Sequence, residues 1–402
     1  MRLAEIATYV NEKISSSNIT LDQYVTTDSL LQDKRGREYA QNLPPVTTNL
    51  IHYQPGDVLV ANIRPYLKKV WFADCEGGAS SDVLVLRAKN ANDTTFVYAL
   101  LMQDSFYDYA MKGAKGSKMP RGDKDQIMRY EFPIFSPEQR KDIGKFITDI
   151  ESKIAVNRQI NDNLEVMAKQ LYDYWFVQFD FPNEEGKPYK SSGGKMVWDD
   201  KLKREIPEGW EVGNLSDYLQ VITERVSAST VNESTKYAPI EVLPRKKMSF
   251  NECAPIENAI SGLCAFRHKN ILLSNRRVYF HKVCIAAFDG ITRDTVIVLK
   301  PNANDLLGYS YQLVNDNVFI EYATRHSYGS EQPVLSWESA KIYKVLKPKS
   351  GLDVLYSKCA ESIIDCVIEN ELEIATLKKQ RDDLLPLLMN GQVSVNYHLS
   401  HD

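Results

Sequence analysis

The strongest constraint in this chain is an internal repeat with an offset of 213 positions. Residues 57–87 align without gaps with residues 270–300, and identical pairs recur at apolar, glycine and charged positions alike. The offset continues through a Gly-Ser pair and returns near the C-terminus. A repeat unit of this length is a duplicated domain rather than one turn of a solenoid. The chain therefore carries two related surfaces that are not identical.

Length and composition limit the remaining possibilities. A chain of 402 residues predicts two or three domains, and its 43% hydrophobic and 25% charged residues are typical of globular proteins. The net charge of −4 argues against indiscriminate coating of polyanions, although local basic loops remain compatible with DNA binding. The sequence contains no leader pattern, no apolar run of 18 residues and no Cys-x-x-Cys, so we expect a cytoplasmic protein that binds neither membrane nor zinc.

Residues 1–136 have the pattern of an α+β domain. Apolar strands are expected at VLVANI and VLVLR, an edge strand at YEFPIF, and one helix near residues 95–111.

The period then changes to that of a heptad helix. From residue 143, steps of four and three give an apolar seam up to Leu171, and the same seam recurs 213 positions later. Each helix of roughly 30 residues would be about 45 Å long. Either helix could pack on its own domain, but asparagines within both seams favour pairing, because a polar seam residue sets the register. The predicted register residues are Asn157, Asn161 and Asn370.

A dense aromatic cluster follows the first heptad helix. It consists of Tyr172, Tyr174, Trp175, Phe176, Phe179 and Phe181. Aromatic residues concentrated beside a Gly- and Lys-rich connector are typical of a partner-docking strip, and ordinary core packing is an equal alternative.

The duplication and the two helices together favour a reader of split DNA sites. Two domains that each precede a long helix can bury both seams by laying the helices antiparallel, which would relate the domains by a pseudo-two-fold axis. Such a particle matches two half-sites at a fixed separation, as dimeric repressors do. Because the two copies have diverged, we expect unlike half-sites around an unread spacer.

The chain also resembles the specificity (S) subunits of type I restriction–modification systems. The resemblance covers nearly the whole chain and is carried by the block LYDYWFVQFDFPNEEGKPYKSSGGKMVW, the phrase REIPEGWEV and the tail DDLLPLLMNGQV. It implies two α/β target-recognition domains separated by two long antiparallel helices, without catalytic activity. It also implies binding to double-stranded DNA and to two methyltransferase subunits that use S-adenosylmethionine, with restriction subunits in the full complex.

The resemblance and the periodicity together predict five segments. They are a first target-recognition domain (1–136), a central helix with the aromatic strip (137–180), a connector (181–212), a second target-recognition domain (213–350) and a distal helix with the tail (351–402). The tail and the N-terminal start are expected to form a second docking platform.

Two duplicated loci are candidates for DNA contact, because specific reading needs Arg, Lys, Asn or Gln near base edges and cations near phosphates. The first locus comprises Asn62, Arg64, Tyr66, Lys68 and Lys69, with Asn275, Arg276, Arg277, Tyr279, His281 and Lys282 as its second copy. The second locus comprises Lys112, Lys115, Gly116, Ser117, Lys118 and Arg121, with Arg325, His326, Gly329 and Ser330 as its second copy. A solvated turn or loop is the alternative at each locus.

Catalytic interpretations are weaker. GAKGSK lacks the spacing of a phosphate-binding loop, QNLPPV only loosely resembles a methylase motif, and Glu151-Ser152-Lys153 lies on the heptad helix. We therefore expect no catalysis, no metal and no cofactor in this chain, with S-adenosylmethionine held by partner subunits. The alternatives are a two-domain protein–protein scaffold that never binds DNA and, less favoured, a self-sufficient DNA-modifying enzyme.

Overall fold

The computed structural model describes residues 1–349 and 351–395, and the chain divides into two compact units. The first unit contains residues 1–153 together with the chain from Leu377 onward, and the second contains Ile154–Thr376. Each of the two longest helices contributes residues to both units.

The first unit contains two four-stranded sheets. Its strands are β1 (Ala7–Tyr9), β2 (Lys13–Ser15), β3 (Tyr24–Val25), β4 (Asn49–Tyr53), β5 (Val58–Ala61), β6 (Val70–Phe72), β7 (Gly77–Ala79) and β8 (Val83–Ala88). Its helices are α1 (Leu3–Ile6), α2 (Thr94–Leu101), α3 (Asp104–Lys112), α4 (Lys124–Met128) and the first part of α5 (Pro137–Tyr172). The sheet orders are β1-β8-β5-β6, which is antiparallel, and β2-β4-β7-β3, in which β3 and β7 are parallel.

The second unit repeats this pattern with additional strands. Its strands are β9 (Met196–Asp199), β10 (Arg204–Pro207), β11 (Glu211–Asn214), β12 (Leu219–Ile222), β13 (Arg225–Val226), β14 (Ser249–Phe250), β15 (Leu263–Phe266), β16 (Ile271–Ser274), β17 (Val283–Ala286), β18 (Gly290–Arg293), β19 (Val296–Pro301) and β20 (Lys344–Lys347). Its helices are α6 (Leu307–Asn315), α7 (Asn317–Arg325), α8 (Trp337–Ala340) and most of α9 (Leu352–Met389). The sheets are β12-β19-β16-β17-β14, β13-β15-β18 and the pairs β9-β10 and β11-β20.

The two copies of the internal repeat share the same strand pairing. The shared structure starts nearer the N-terminus of each copy than the shared sequence does. Strand β1 pairs with β8 as β12 pairs with β19, both antiparallel. Tyr24 forms a parallel bridge with Gly78, and Tyr237 forms a parallel bridge with Ile291, again 213 positions away. The duplicated domain therefore includes N-terminal strands whose side chains have diverged.

Strand β5 shows why the central strands are apolar throughout. Val58 and Val60 face the core that contains α2 and α3, whereas Leu59 and Ala61 face a second core with Tyr53 and Trp71. Successive side chains of a strand point to opposite faces, so a strand covered on both faces needs apolar residues at every position.

Two local predictions are wrong. The single helix expected near residues 95–111 is two helices, α2 and α3, because the chain leaves helical geometry at Gln103, whose ψ is 142°. The edge strand expected at YEFPIF is reduced to one bridge between Arg2 and Glu131, and Tyr130, Phe132 and Phe135 pack into the core from an irregular segment.

The heptad prediction is confirmed by α5, which begins at Pro137, and by its pairing with α9. Within the second unit, Asn161 Oδ1 accepts a hydrogen bond of 2.8 Å from Asn370 Nδ2, and the Tyr356 hydroxyl donates to the Ala168 carbonyl at 2.9 Å. From Asn161 to Ala168 the contacts move toward the C-terminus of α5, and their partners, Asn370 and Tyr356, move toward the N-terminus of α9. The two helices are therefore antiparallel.

The asparagine layer differs from the one expected from the repeat. Asn157 and Asn161 are buried, but Asn370 meets Asn161 rather than its repeat equivalent Asn157. The Asn157 side-chain amide instead donates a hydrogen bond of 2.6 Å to the Glu373 carboxylate. In an antiparallel helix pair, residues meet when they lie at the same height along the two helices. Residues separated by the repeat offset need not lie at the same height.

Candidate nucleic-acid interface

The same strained turn follows a central strand in each unit. Residues 64–68, the first arginine turn, leave β5, and residues 277–281, the second arginine turn, leave β16. Arg64 has φ of 53° and Arg277 has φ of 47°, and each precedes a 3₁₀ turn that ends at another left-handed residue, Lys68 or His281. Left-handed conformations are uncommon outside glycine, and such strain clusters at functional positions. Its recurrence in both units shows that the turn geometry is retained despite different side chains.

A hairpin loop holds each arginine turn in place. We call residues 115–121 the first hairpin loop and residues 328–334 the second. The Arg64 amide donates to the Pro120 carbonyl at 2.7 Å, and the Arg277 amide donates to the Pro333 carbonyl at 3.0 Å. The two loci that the sequence indicated separately are therefore adjacent within each unit.

The hairpin loops have the same backbone. Lys115 and Arg121 exchange two main-chain hydrogen bonds of 2.9 Å, and Tyr328 and Val334 exchange bonds of 3.0 and 2.8 Å. The residue after the first bridge is Gly116 in one loop, with φ of 96°, and Gly329 in the other, with φ of 99°. A residue with a Cβ rarely adopts this conformation, which explains why glycine occurs in both copies.

The exposed groups of both turns suit nucleic-acid contact. Arg64 and Arg277 are exposed, and Tyr66 and Tyr279 are 50% and 51% exposed. An arginine offers paired donors that match guanine or a phosphate, and an aromatic ring beside it offers a flat apolar face.

Five residues of the first locus are wholly or partly buried, which argues against their assignment to DNA contact. Asn62 and His281 are buried, and the partly buried Asn275 donates to the Asp294 carbonyl at 2.8 Å. Lys69 and Lys282 donate to the carbonyls of Thr27 and Ile240. Burial lowers the pKa of His281 and of both lysines, and the His281 ring lies 3.0 Å from the Asn315 carbonyl. The partners of Lys69, Lys282 and His281 lie 34 to 42 positions away in the chain, so alternation along a strand does not predict these contacts.

The other predicted DNA-contact residues lie at or near the surface, several of them in ion pairs. The exposed ones are Lys112, Lys115, Gly116, Ser117, Lys118, Arg121, Arg325, His326, Gly329 and Ser330, and Lys68 and Arg276 are half-buried. Lys115 lies 3.1 Å from Asp123, Arg121 lies 3.0 Å from Asp82, and Arg325 lies 3.5 Å from Glu321. The His326 ring stacks on Tyr322 with centroids 3.9 Å apart.

The two hairpin loops differ in charge. The first presents the exposed cations Lys115, Lys118 and Arg121. The positions aligned with them in the second are Tyr328, Glu331 and Val334. Phosphate neutralisation requires cations, so only the first loop has the composition of a phosphate clamp.

The aromatic strip belongs to the core, which corrects its assignment as a docking surface. Tyr172, Trp175, Phe176, Phe179 and Phe181 are buried in the second unit. Phe176 packs on Tyr309 at 4.8 Å between ring centroids, and Phe181 stacks on Trp210 at 5.1 Å. A π-helical turn over Asp173–Val177 buries Trp175 and Phe176 and leaves Tyr174 exposed. Of the two readings left open, core packing is the one that the structure supports for these five rings.

Sequence reasoning missed two features. Lys34 is a buried lysine whose amide donates to the Lys68 carbonyl at 2.8 Å, beside the first arginine turn. Helix α5 also exposes Val156, Ile160 and Met167, apolar residues at i, i+4 and i+11 outside the seam. The sequence could have indicated the exposed apolar residues, because they occupy heptad positions outside the seam. No sequence pattern indicates that Lys34 is buried.

The described residues, 1–349 and 351–395, include no group of three or more His, Cys, Asp or Glu arranged for a metal ion. No helix in that part of the chain is both long and apolar enough to cross a membrane. The tail predicted to complete a second platform lies partly outside these residues.

Comparisons with known proteins agree on one family. Residues 1–166 match the family described as type I restriction modification DNA specificity domain. The chain is similar to the MjaIX specificity subunit of Methanocaldococcus jannaschii, with 24% identity over 314 residues, covering 75% of this chain and 69% of that one. It is similar to the HindI specificity subunit of Haemophilus influenzae, with 20% identity over 406 residues, covering 84% and 86%.

A solved structure shares the fold. The crystal structure of a type I restriction–modification S subunit from M. genitalium superposes with a TM-score of 0.56 at 13% identity, covering 97% of this chain and 95% of that one.

Proposed function

Since the chain belongs to the family of type I restriction–modification specificity subunits, we propose that it recognises an asymmetric, two-part DNA sequence with an unread spacer. The single observation that carries this proposal is the arginine turn, which occurs once in each unit on the same backbone but beside unlike hairpin loops. Matching backbones support two equivalent contacts with a duplex, and unlike side chains support different bases at each.

Each unit supplies a candidate base reader and a candidate anchor. Arg64 and Lys118 serve one half-site, and Arg277 and Arg325 serve the other. A bidentate arginine contact to guanine discriminates against other bases by about 1–3 kcal/mol, whereas a lysine at a phosphate adds affinity without sequence information.

Methyltransferase subunits dock on the helix pair in this proposal, rather than on the aromatic strip. The exposed apolar residues Val156, Ile160 and Met167 of α5 and Leu372 of α9 support it, together with exposed Tyr174. Exposed apolar side chains outside a helix seam are typical of protein interfaces. Two methyltransferase subunits would bring S-adenosylmethionine and methylate adenine N6, restriction subunits would join the full complex, and the chain itself would act in the cytoplasm without catalysis.

The proposal is tested by co-expressing the chain with methyltransferase subunits and mapping N6-methyladenine across the cellular DNA. One asymmetric split motif with a constant spacer is expected, and its disappearance is expected when the chain is omitted. Methylation without sequence preference, or a single continuous motif, would contradict the proposal.

Two further measurements separate this function from a protein scaffold and from a self-sufficient enzyme. A scaffold predicts no DNA mobility shift by the assembled complex. An enzyme predicts turnover of labelled S-adenosylmethionine by the isolated chain, for which we expect none.

A further inference from the structure

Lys34 is a buried residue that contacts the first arginine turn. Its side chain is only 9% exposed, and both it and Asp33 have left-handed backbones, with φ of 60° and 56°. The Asp33 amide donates to the Leu67 carbonyl at 3.0 Å, and the Lys34 amide donates to the Lys68 carbonyl at 2.8 Å. Two main-chain hydrogen bonds therefore join this segment to the turn.

The Lys34 ammonium lies between two carboxylates on different helices. Its Nζ is 2.8 Å from Asp104 on α3 and 3.6 Å from Asp382 on α9. The second oxygen of Asp104 is 3.0 Å from Nζ of Lys68, the last residue of the turn. Although partial burial opposes ionisation, the two ammonium groups hold the pKa of Asp104 below its ordinary value.

The ion pairs continue from Asp382 into the helix pair. Arg381 lies 2.9 Å from Asp382 and 2.6 Å from Glu151 of α5, and its side chain is 5% exposed. Charges alternate in sign from Lys68 through Lys34 to Glu151, all within the first unit. A buried lysine is costly unless opposite charges surround it, so the position of Lys34 depends on both carboxylates.

We propose that Lys34 is a positioning residue that couples the first arginine turn to helix α9. On the proposed function, on which this inference rests, discrimination at the first half-site then depends on the Lys34–Asp382 contact, although neither residue touches DNA.

The second unit provides an internal comparison. By its main-chain contact the counterpart of Lys34 is Lys246, an exposed residue with φ of 53° whose amide donates to the His281 carbonyl at 2.9 Å. The next residue, Lys247, pairs with Asp162 of α5, and the two side chains are 45% and 56% exposed. The turn there ends at His281, which contacts the uncharged Asn315. Water and salt screen an exposed pair, so its removal has a small effect.

The experiment uses the full chain assembled with methyltransferase subunits, and three variants: Lys34→Met, Asp382→Asn and the double substitution. Affinity is measured for the target and for targets with one base changed in either half. Lys34→Met is expected to reduce discrimination at the first half-site by about tenfold and to leave discrimination at the second unchanged. The double variant is expected to match the stronger single variant, and Asp382→Glu to restore discrimination. Lys247→Met removes the exposed pair with Asp162 and serves as the control, which should change discrimination less than about threefold.

Several outcomes would overturn the role of Lys34 alone. They are equal loss at both half-sites, multiplicative effects in the double variant, or unchanged discrimination in Asp382→Asn. The last variant also decides the matter if Lys34→Met fails to fold, because Asp382 is half exposed. A wild-type complex without sequence preference would instead overturn the proposed function.

Discussion

The two hairpin loops have one backbone and opposite chemistry. Each loop is closed by paired main-chain hydrogen bonds and turns at a glycine with positive φ. A carbonyl of each loop also accepts a hydrogen bond from the main-chain amide of the arginine in the neighbouring turn. Yet Lys118 occupies the position of one tip and Glu331 the aligned position of the other. Main-chain bonds set the shape of these loops, so their exposed side chains can change without loss of the fold.

The units also differ in how their domains meet the long helices. In the first unit a buried ammonium, Lys34, joins the arginine turn to α9. In the second, the Glu165 carboxylate of α5 accepts a hydrogen bond of 2.9 Å from the Met248 amide. The first attachment is a set of ion pairs, whereas the carboxyl group of the second titrates within the physiological range.

The largest predicted effect follows from this titration. Burial raises the pKa of Glu165 from 4.5 to about 7, so the folded second unit holds a proton that the unfolded chain releases. Stability should therefore fall as pH rises from about 5 to 8, by at most about 3 kcal/mol. Denaturation of the wild type and of Glu165→Gln across this range checks the prediction. A variant with the same pH dependence as the wild type would show that Glu165 is not responsible.

The next effect concerns the arginines that the units share. Arg64→Ala and Arg277→Ala should each weaken target binding by about 1–3 kcal/mol and relax preference at one position of its own half-site. Binding to a panel of single-base variants measures both properties. Lys13→Ala, at an exposed lysine of β2, is the control and should leave the panel unchanged. If both arginine variants affect the same half-site, the one-turn-per-half-site assignment is wrong.

A smaller effect tests whether the loop backbones are equivalent. Gly116→Ala and Gly329→Ala should each lower the free energy of unfolding by about 1–2 kcal/mol. The loop requires a positive φ that is unfavourable for a residue with a Cβ, and the new Cβ would lie 3.3 or 3.4 Å from a carbonyl oxygen. Equilibrium unfolding should give similar losses in the two variants. Ser117→Ala, in the same loop without positive φ, should stay within about 0.5 kcal/mol. Clearly unequal glycine effects would argue against a shared backbone requirement.

The smallest effect tests the charge difference itself. Lys118→Glu should reduce the slope of log affinity against log salt by about 1, because one phosphate contact is lost. Glu331→Lys should increase it by a similar amount or less. Titrations of the assembled complex at several salt concentrations measure the slope. Unchanged slopes in both variants would mean that neither tip lies near the DNA backbone.

Prediction from sequence succeeded where a pattern is local or repeated. The seam starting at Ile143 located α5, and its equivalent located α9, because burial of one helix face imposes a heptad period. The repeat likewise predicted that Arg64 and Arg277 occupy equivalent positions, which the matching φ values confirm.

Prediction failed where the direction of a side chain depends on distant residues. The composition of the aromatic strip fits a surface and a core equally well, and its burial depends on Tyr309, Trp210 and Tyr356. Lys69 and Lys282 look like DNA contacts because they follow a strand, yet carbonyls about 40 positions earlier in the chain bind them.

By itself the sequence determined the duplication, the two heptad helices and the resemblance to type I restriction–modification specificity subunits, because periodicity and repetition are properties of the residue order. Only the tertiary structure decided that the hairpin loops support the arginine turns, that the aromatic strip is core and that Asn370 meets Asn161. Those contacts join residues far apart in the chain, and burial and hydrogen bonding there depend on packing that no local pattern records.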